Sequence, residues 1–255
     1  MPLLAQMLDI HAWASMLSSG WGDVEQAGFW LAVGKIIWIN ILLSGDNAVV
    51  IAMACRGLPH RQRVWGMVLG AGVAIFLRIV FTGVVASLMT LPYLKIAGGL
   101  ALLYIAAKLL VPDDADASES EAVAHLWRAV RVVALADIIM SLDNVIAIAA
   151  AAGDNMALLV LGLAISIPLI VAGAAAIMSL LDRFPILVWA GAALLGWIAG
   201  EVIATDPVAA GYLAATYQPA AAQRVEYAAA AAGAALVLIA GHFWRRARAV
   251  KGSDV

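Results

Sequence analysis

Residues 40–54 read NILLSGDNAVVIAMA, and residues 137–151 read DIIMSLDNVIAIAAA. The two stretches align at a fixed offset of 97 residues, with Ser-x-Asp-Asn at the same place in each. A second similarity, at an offset of 93 residues, links AGGLALLYIAAK from Ala97 with AGAALLGWIAGE from Ala190. These matches indicate that the chain contains two related halves.

The composition indicates a membrane protein. Of the 255 residues, 65% are hydrophobic and 13% are charged, whereas soluble domains are about half apolar. The apolar residues form seven runs of roughly the length that a helix needs to cross the hydrocarbon core of a bilayer, about 20 residues. The runs cover residues 29–55, 64–89, 92–111, 126–152, 156–180, 185–204 and 225–244. We therefore predict an all-α membrane protein with seven transmembrane helices, and not a barrel of alternating apolar and polar strands.

The two halves are predicted to be inverted repeats. Each contains three of the seven runs, and since three is odd, the second half enters the membrane from the opposite face. The expected divisions are an N-terminal tail or interfacial helix at 1–28, a first three-helix repeat at 29–111, an acidic cytoplasmic linker at 112–125, a second three-helix repeat at 126–204, an external loop at 205–223, a seventh helix at 224–244 and a basic cytoplasmic tail at 245–255.

The distribution of basic residues predicts the orientation, because cytoplasmic loops are enriched in Lys and Arg. With seven crossings, Arg224 alone falls clearly on the other side. The residues that share one side are Arg56, Arg61, Arg63, Lys108, Arg128, Arg131, Arg183, Arg245, Arg246, Arg248 and Lys251. We expect a multi-pass protein of the bacterial inner membrane with its N-terminus outside and its C-terminus in the cytoplasm.

Three aspartates lie inside the apolar runs: Asp46, Asp137 and Asp143. An ionised carboxylate at the centre of a membrane helix costs about 2.5–3.5 kcal/mol on insertion scales, so each needs a proton, a basic partner or a bound cation. Three basic residues in or near the same runs offer a purely structural ion pair for any one aspartate: Lys35, Arg78 and Lys95.

The repetition of the motif favours a bound cation, since two carboxylates brought together near a symmetry axis repel each other unless something positive lies between them. The candidate ligands are four matched pairs: Asn40 with Asp137, Ser44 with Ser141, Asp46 with Asp143, and Asn47 with Asn144. All-oxygen sites suit Mg, Ca and Mn. The four histidines lie in tails, loops or helix ends, which does not favour a buried zinc or copper site.

Glycines and one further acid complete the candidate residues. Gly45 permits a helix break in the first motif, which would free backbone carbonyls as ligands, whereas Leu142 occupies the matching position in the second. Glu201, matched with Lys108, is a candidate ion-path residue. Five glycines are expected to allow close packing of helices: Gly70, Gly98, Gly99, Gly191 and Gly196.

The segments SGDNAVVIAM and SLDNVIAIA, in the first and fourth of seven runs, resemble the TerC family of integral membrane proteins, and the resemblance extends from about Trp30 to Trp244. That family is associated with manganese export and tellurium resistance and is similar to the LysE-type transporters. The resemblance implies export of Mn(II), with the motif aspartates and asparagines as ligands. Composition and spacing alone reach only a hard divalent cation, Ca(II) and Mg(II) included.

Several functions remain open at this point. A carboxylate pair that binds a metal or protons in turn suits a secondary transporter coupled to protons or sodium, and no ATP-binding motif is present. A channel, or a membrane protein that binds metal without moving it, is the second hypothesis. An intramembrane aspartyl protease is less favoured, because each motif aspartate, Asp46 and Asp143, is followed by asparagine. We expect no enzymatic activity, no prosthetic group and no nucleic-acid partner.

Overall fold

Helices account for all the regular secondary structure that the structure describes. The computed structural model describes residues 25, 27–82, 91–111, 119–152, 155–216 and 218–251, and within them there is no strand. The all-α prediction is therefore confirmed for this part of the chain. Its helices are α1 (Ala27–Leu43), α2 (Gly45–Cys55), α3 (His60–Thr82), α4 (Leu94–Leu109), α5 (Glu119–Ala152), α6 (Met156–Arg183), α7 (Ile186–Ala204), α8 (Pro207–Thr216) and α9 (Pro219–Lys251).

Four of these helices, α3, α6, α7 and α9, are long and apolar enough to cross a membrane. The pair α1 and α2, bent by 59° at their junction, adds a fifth if it counts as one span. Helix α4 has only 16 residues, about 24 Å at the usual rise, and α5 carries several charged residues along its 34. The chain is an integral multi-pass membrane protein, and the count of seven crossings remains a prediction.

Two boundaries differ from the sequence expectation. The segment expected as an external loop, 205–223, contains α8 and the first residues of α9. Both helices begin at a proline, Pro207 and Pro219, which is well tolerated in the first turn because its missing N–H has no helical partner there. Residues 112–118 of the acidic linker, and all of the tail 1–28 except 25, 27 and 28, lie outside the described residues.

Helix packing follows the pattern that a repeat of three elements requires. Helix α3 packs against α5, and its counterpart α6 packs against α1 and α2, while α2 contacts α5, α3 contacts α6 and α4 contacts α7. Two glycine contacts recur in the same way. A Cβ on Gly70 would lie 3.2 Å from Val133, and one on Gly162 would lie 2.6 Å from Ile36. Val133 and Ile36 are separated by the offset of the motif, 97 residues, whereas Gly70 and Gly162 are 92 residues apart. The inverted repeat remains a prediction.

Small residues bring helix backbones into contact. At each of the five glycines predicted to allow close packing, an added Cβ would meet a neighbouring atom within 3.2 Å, so that prediction is confirmed. The tightest crossing joins α7 and α9. A Cβ on Gly200 would lie 2.2 Å from the carbonyl oxygen of Ala229, and one on Gly233 would lie 2.2 Å from that of Gly196. This crossing fixes α9 against the second half of the bundle.

Candidate cation-binding site

The first motif lies at a break between two helices. Helix α1 ends at Leu43 and α2 begins at Gly45, and Ser44 between them has φ −115° and ψ 12°. Glycine has low helix propensity, and the break predicted at Gly45 is confirmed. Helix α5 continues through the second motif without interruption, as the leucine at position 142 indicated. The two copies of the motif therefore have different backbone conformations.

The break is held by the second motif. The Nδ2 of Asn144, on α5, donates a hydrogen bond of 3.0 Å to the carbonyl oxygen of Leu43, the last residue of α1. At the same junction the N–H of Ser44 donates a hydrogen bond of 3.3 Å to the carbonyl oxygen of Ile41. The fold thus brings the two motifs into direct contact, although they are far apart in the sequence.

Asp46 lies in the first turn of α2. Its Oδ1 accepts a hydrogen bond of 2.8 Å from the backbone N–H of Asn47, and the partial positive charge at a helix N-terminus stabilises a carboxylate there. Its counterpart Asp143 belongs to α5, between Ser141 and Asn144, and its side chain lies outside what the structure describes.

Arg78 of α3 occupies the centre of the polar cluster and is only 2% exposed. Its Nη2 donates to Asp137 Oδ1 at 2.7 Å and to Ser141 Oγ at 2.8 Å. Its Nη1 donates to Ser44 Oγ at 3.0 Å and to Asn40 Oδ1. Four of the eight candidate ligands are therefore bound by one guanidinium. For Asp137 the structure contains the ion pair that the sequence offered as the alternative to a metal.

The matched positions Asn40 and Asp137 have different partners in the two halves. Asn40 Nδ2 donates to Ser166 Oγ of α6 at 2.6 Å, and Ser166 in turn donates to the carbonyl oxygen of Leu163 at 2.7 Å. Asp137 is paired with Arg78. Both positions accept a hydrogen bond from Arg78, but only Asp137 forms an ion pair with it, whereas Asn40 also donates to Ser166. The sequence repeat did not indicate this difference.

Two acceptor oxygens in this cluster have no hydrogen-bond donor among the described residues, Asn47 Oδ1 and Asp137 Oδ2. The two side chains are joined by a bond of 3.0 Å from Asn47 Nδ2 to Asp137 Oδ1. With Arg78 they line a small cavity of about 10 Å³ between α2, α3, α5 and α6. That is close to the space taken by one water molecule or ion, and buried acceptors without a donor are costly. Arg78, which lines the same cavity, has a buried Nε without an acceptor among the described residues. The lining residues therefore offer two unpaired acceptors and one unpaired donor to a small polar or charged group.

Comparison with known proteins identifies the family. The family described as "Integral membrane protein TerC family" matches residues 25–249. The chain belongs to the TerC family. No solved structure is similar to it.

Three bacterial proteins illustrate what this TerC protein is similar to. It is 43% identical over 171 residues to "Uncharacterized membrane protein YjbE" of Bacillus subtilis, which covers 67% of this chain and 78% of that protein. It is 28% identical over 189 residues to YceF of the same organism, covering 70% and 73%. It is 26% identical over 136 residues to "UPF0053 inner membrane protein YoaE" of Escherichia coli, covering 46% and 26%. Its relatives thus include proteins of the bacterial inner membrane.

The described part of the cluster in this TerC protein contains two aspartates, Asp46 and Asp137, and one guanidinium, Arg78. With both carboxylates ionised, these three side chains carry one net negative charge, while the side chain of Asp143 lies outside the described residues. Among the described residues no three His, Cys, Asp or Glu side chains lie close enough to hold a metal. Amide and hydroxyl oxygens would therefore have to complete a ligand shell, as the pairs of asparagine and serine predict.

Glu201 is separate from this cluster. It is exposed near the end of α7, and its backbone carbonyl accepts hydrogen bonds of 3.0 Å from the N–H and the Oγ1 of Thr205. Its role on an ion path remains a prediction.

Proposed function

We propose that this TerC-family protein is a secondary transporter that exports a divalent metal cation, with Mn(II) as the principal candidate and Ca(II) and Mg(II) as alternatives. The observation that carries the proposal is the pair of donorless buried oxygens, Asn47 Oδ1 and Asp137 Oδ2. Both residues line one small cavity between α2, α3, α5 and α6. Oxygen ligands favour hard cations, and the family resemblance supports Mn(II) and the outward direction.

Arg78 determines how many negative charges such a site would offer to a cation. Its guanidinium neutralises Asp137, so Asp46 and Asp143 supply the two charges that remain. Those two carboxylates can bind one divalent cation or two protons, and either occupant leaves the cluster with the same net charge. This equivalence supports exchange of metal for protons, with sodium as the alternative coupling ion.

A channel, or a membrane protein that binds metal without transporting it, is the second candidate, because the same ligands serve all three functions. An intramembrane aspartyl protease, the remaining alternative, requires two carboxylates that share a proton. The candidate carboxylates are those of Asp46 and Asp143, and the hydrogen bond that Asp46 accepts from the N–H of Asn47 favours its ionised form over a shared proton. We therefore propose that the protein is not an enzyme.

The test is flux of Mn(II) and Ca(II) into proteoliposomes with an imposed pH gradient. The variants Asp46→Asn and Asp143→Asn remove one charge each. Asp182→Asn is the matched control, because Asp182 is exposed and pairs only with Arg63. We expect saturable Mn(II) flux in the wild type and the control, and its loss in both motif variants.

Each other outcome selects a different function. Wild-type flux in folded motif variants would exclude Asp46 and Asp143 as ligands. Flux that is not driven by either ion gradient indicates a channel, and metal binding without flux indicates a binding protein. Cleavage of a membrane substrate without added metal would favour the protease.

A further inference from the structure

A second and much larger cavity, of about 790 Å³, opens at the end of the bundle where α2, α4, α5, α7 and α9 meet. It shares no lining residue with the small cavity at the motifs. Its described lining contains a single acidic residue, Asp182, which pairs with Arg63 at 2.7 Å. The basic lining residues are Arg56, Arg63, Lys108, His125, Arg128 and Arg245.

Part of the positive charge in the cavity lining has no carboxylate partner in the part of the chain that the structure describes. Among the described residues, Arg56, Lys108 and Arg245 have no carboxylate partner. Lys108 lies over the ring of Tyr104 at 5.8 Å, and Arg245 lies over the ring of Trp189 at 5.4 Å. Like charges that converge in a concave surface with low-dielectric walls create a strong positive potential. Such a potential favours an anion.

The general enrichment of basic residues at cytoplasmic helix ends does not account for this arrangement. The basic lining residues come from five separate segments: the α2–α3 connection, α3, α4, α5 and α9. Other residues counted in the same charge bias, Arg61, Arg131 and Arg246, do not line the cavity, although they are exposed, as Lys108 and Arg245 also are. The chain therefore provides its own comparison between basic residues that converge and basic residues that do not.

The rest of the wall is apolar and partly open. It includes Met53, Ile105, Leu135 and Ile186, and Leu135 and Ile186 are 51% and 71% exposed. Basic and apolar walls in one cavity suit a ligand that has an anionic head and a hydrocarbon chain. The volume is within the range of ligand sites, about 300–1,000 Å³.

We propose that this cavity binds an anionic phospholipid, with the phosphate between Arg56, Lys108 and Arg245 and an acyl chain along the apolar wall. Basic pockets between membrane helices on the cytoplasmic side are suited to such headgroups. The site does not depend on the proposed metal transport, because it uses other residues at one end of the bundle.

The experiment uses the full chain, purified in a neutral detergent and stripped of lipid. Phosphatidylglycerol and phosphatidylcholine with identical acyl chains are added separately, and bound lipid is counted by native mass spectrometry while thermal unfolding is followed. Inorganic phosphate forms the third arm. We expect phosphatidylglycerol to be retained and to raise the unfolding temperature, phosphatidylcholine to have little effect, and inorganic phosphate to compete only weakly.

Two triple variants remove the same charge from different places. Arg56→Gln, Lys108→Gln and Arg245→Gln together should weaken phosphatidylglycerol binding by about a hundredfold, at about 1 kcal/mol for each basic residue. Arg61→Gln, Arg131→Gln and Arg246→Gln together should leave binding within about threefold of the wild type. If the cavity triple does not fold, the single variant Arg245→Gln, which should lose about fivefold, replaces it.

Three results would overturn the proposal. Equal losses in the two triples would mean that general surface charge attracts the lipid. Phosphate binding as tight as lipid binding would mean that the site takes a free anion. Lipid selectivity that emerges only after Asp113, Asp114 and Asp116 are changed to Asn would mean that the acidic linker is the occupant.

Discussion

At the residue scale, Arg78 and Arg63 each donate to an aspartate at 2.7 Å, but in opposite surroundings. The side chains of Arg78 and Asp137 are 2% and 4% exposed, whereas those of Arg63 and Asp182 are 26% and 43% exposed. Water screens the second pair and not the first, so the same geometry has different energetic consequences. Arg78 supplies the counter-charge of Asp137, and Asn47 adds a neutral hydrogen bond to the same oxygen.

We therefore expect Arg78→Ala to reduce the free energy of unfolding by about 3–5 kcal/mol, because it leaves a buried carboxylate unpaired. Arg63→Ala, the control, should reduce it by at most about 1 kcal/mol. Reversible unfolding in mixed detergent micelles measures both.

The double variant Arg78→Ala/Asp137→Ala should recover part of this loss, because the unpaired charge is then absent. Equal losses for the buried and exposed pairs, with no recovery in the double variant, would contradict the assignment of Arg78 as the counter-charge of Asp137.

At the scale of elements, one buried aspartate caps two helices. Asp206 accepts from the N–H of Val208 at 3.0 Å in α8, and from the N–H groups of Tyr93 and Lys95 at 3.2 Å and Ile96 at 3.4 Å at the start of α4. Burial would raise the pKa of Asp206, but these four donors outweigh it and hold the pKa below the usual value of an aspartate. The carboxylate joins the two halves of the chain at the end of the bundle opposite the basic cavity.

The sign of the pH effect follows from that lowered pKa. The stability contributed by Asp206 is fully present above the pKa of an aspartate in the unfolded chain, about 3.9, and is lost as the pH falls through the lower pKa of the folded state. We expect Asp206→Asn to lower stability at pH 7 by about 1–2 kcal/mol, as for other cap replacements. The variant should also lose part of the decline in stability below about pH 4. An unchanged acid profile in thermal unfolding from pH 3 to 7 would exclude this role.

The crossing of α7 and α9 depends on the absence of side chains. We expect Gly233→Ala to destabilise the protein by about 1–3 kcal/mol, because the new methyl group would force the helices apart. Gly173→Ala is the matched control, since nothing lies within 4 Å of a Cβ there, and it should cause no loss. Thermal unfolding of the two variants in the same detergent makes the comparison, and similar losses would show that the crossing tolerates a larger residue.

At the scale of the whole molecule, the number of crossings decides which surface faces which compartment. Seven crossings place residue 118 on the side of the C-terminus, whereas five crossings, without α4 and α5, place it on the opposite side. We expect a cysteine at Ser118 to react with an impermeant reagent only from the cytoplasmic side. The new cysteine is introduced into the Cys55→Ala variant, which lacks the one native thiol, a buried one.

Two further positions calibrate that experiment. A cysteine at Glu25 should react only from outside, and one at Lys251 only from the cytoplasm. Labelling of position 118 from outside would contradict the count of seven and the inverted repeat together. It would also contradict the predicted cytoplasmic position of Lys108 and Arg128, which line the basic cavity.

The sequence by itself determined the features that depend on local composition and periodicity. Apolar runs indicated the all-α membrane class, the glycines indicated close packing, and Gly45 indicated the break that the structure contains. The doubled motif also indicated which polar residues lie inside the bundle. These inferences succeed because a membrane penalises each exposed polar group, so the pattern along the chain carries the information.

Only the tertiary structure decided which polar groups neutralise which. Arg78 could have paired with any of three aspartates, and its choice of Asp137 depends on how α3 packs against α5. The contact of Asn144 with Leu43, the capping of α4 by Asp206 and the convergence of basic residues on one cavity have the same origin. Charge pairing and hydrogen bonding act over a few ångströms in space, and sequence separation alone does not specify those distances.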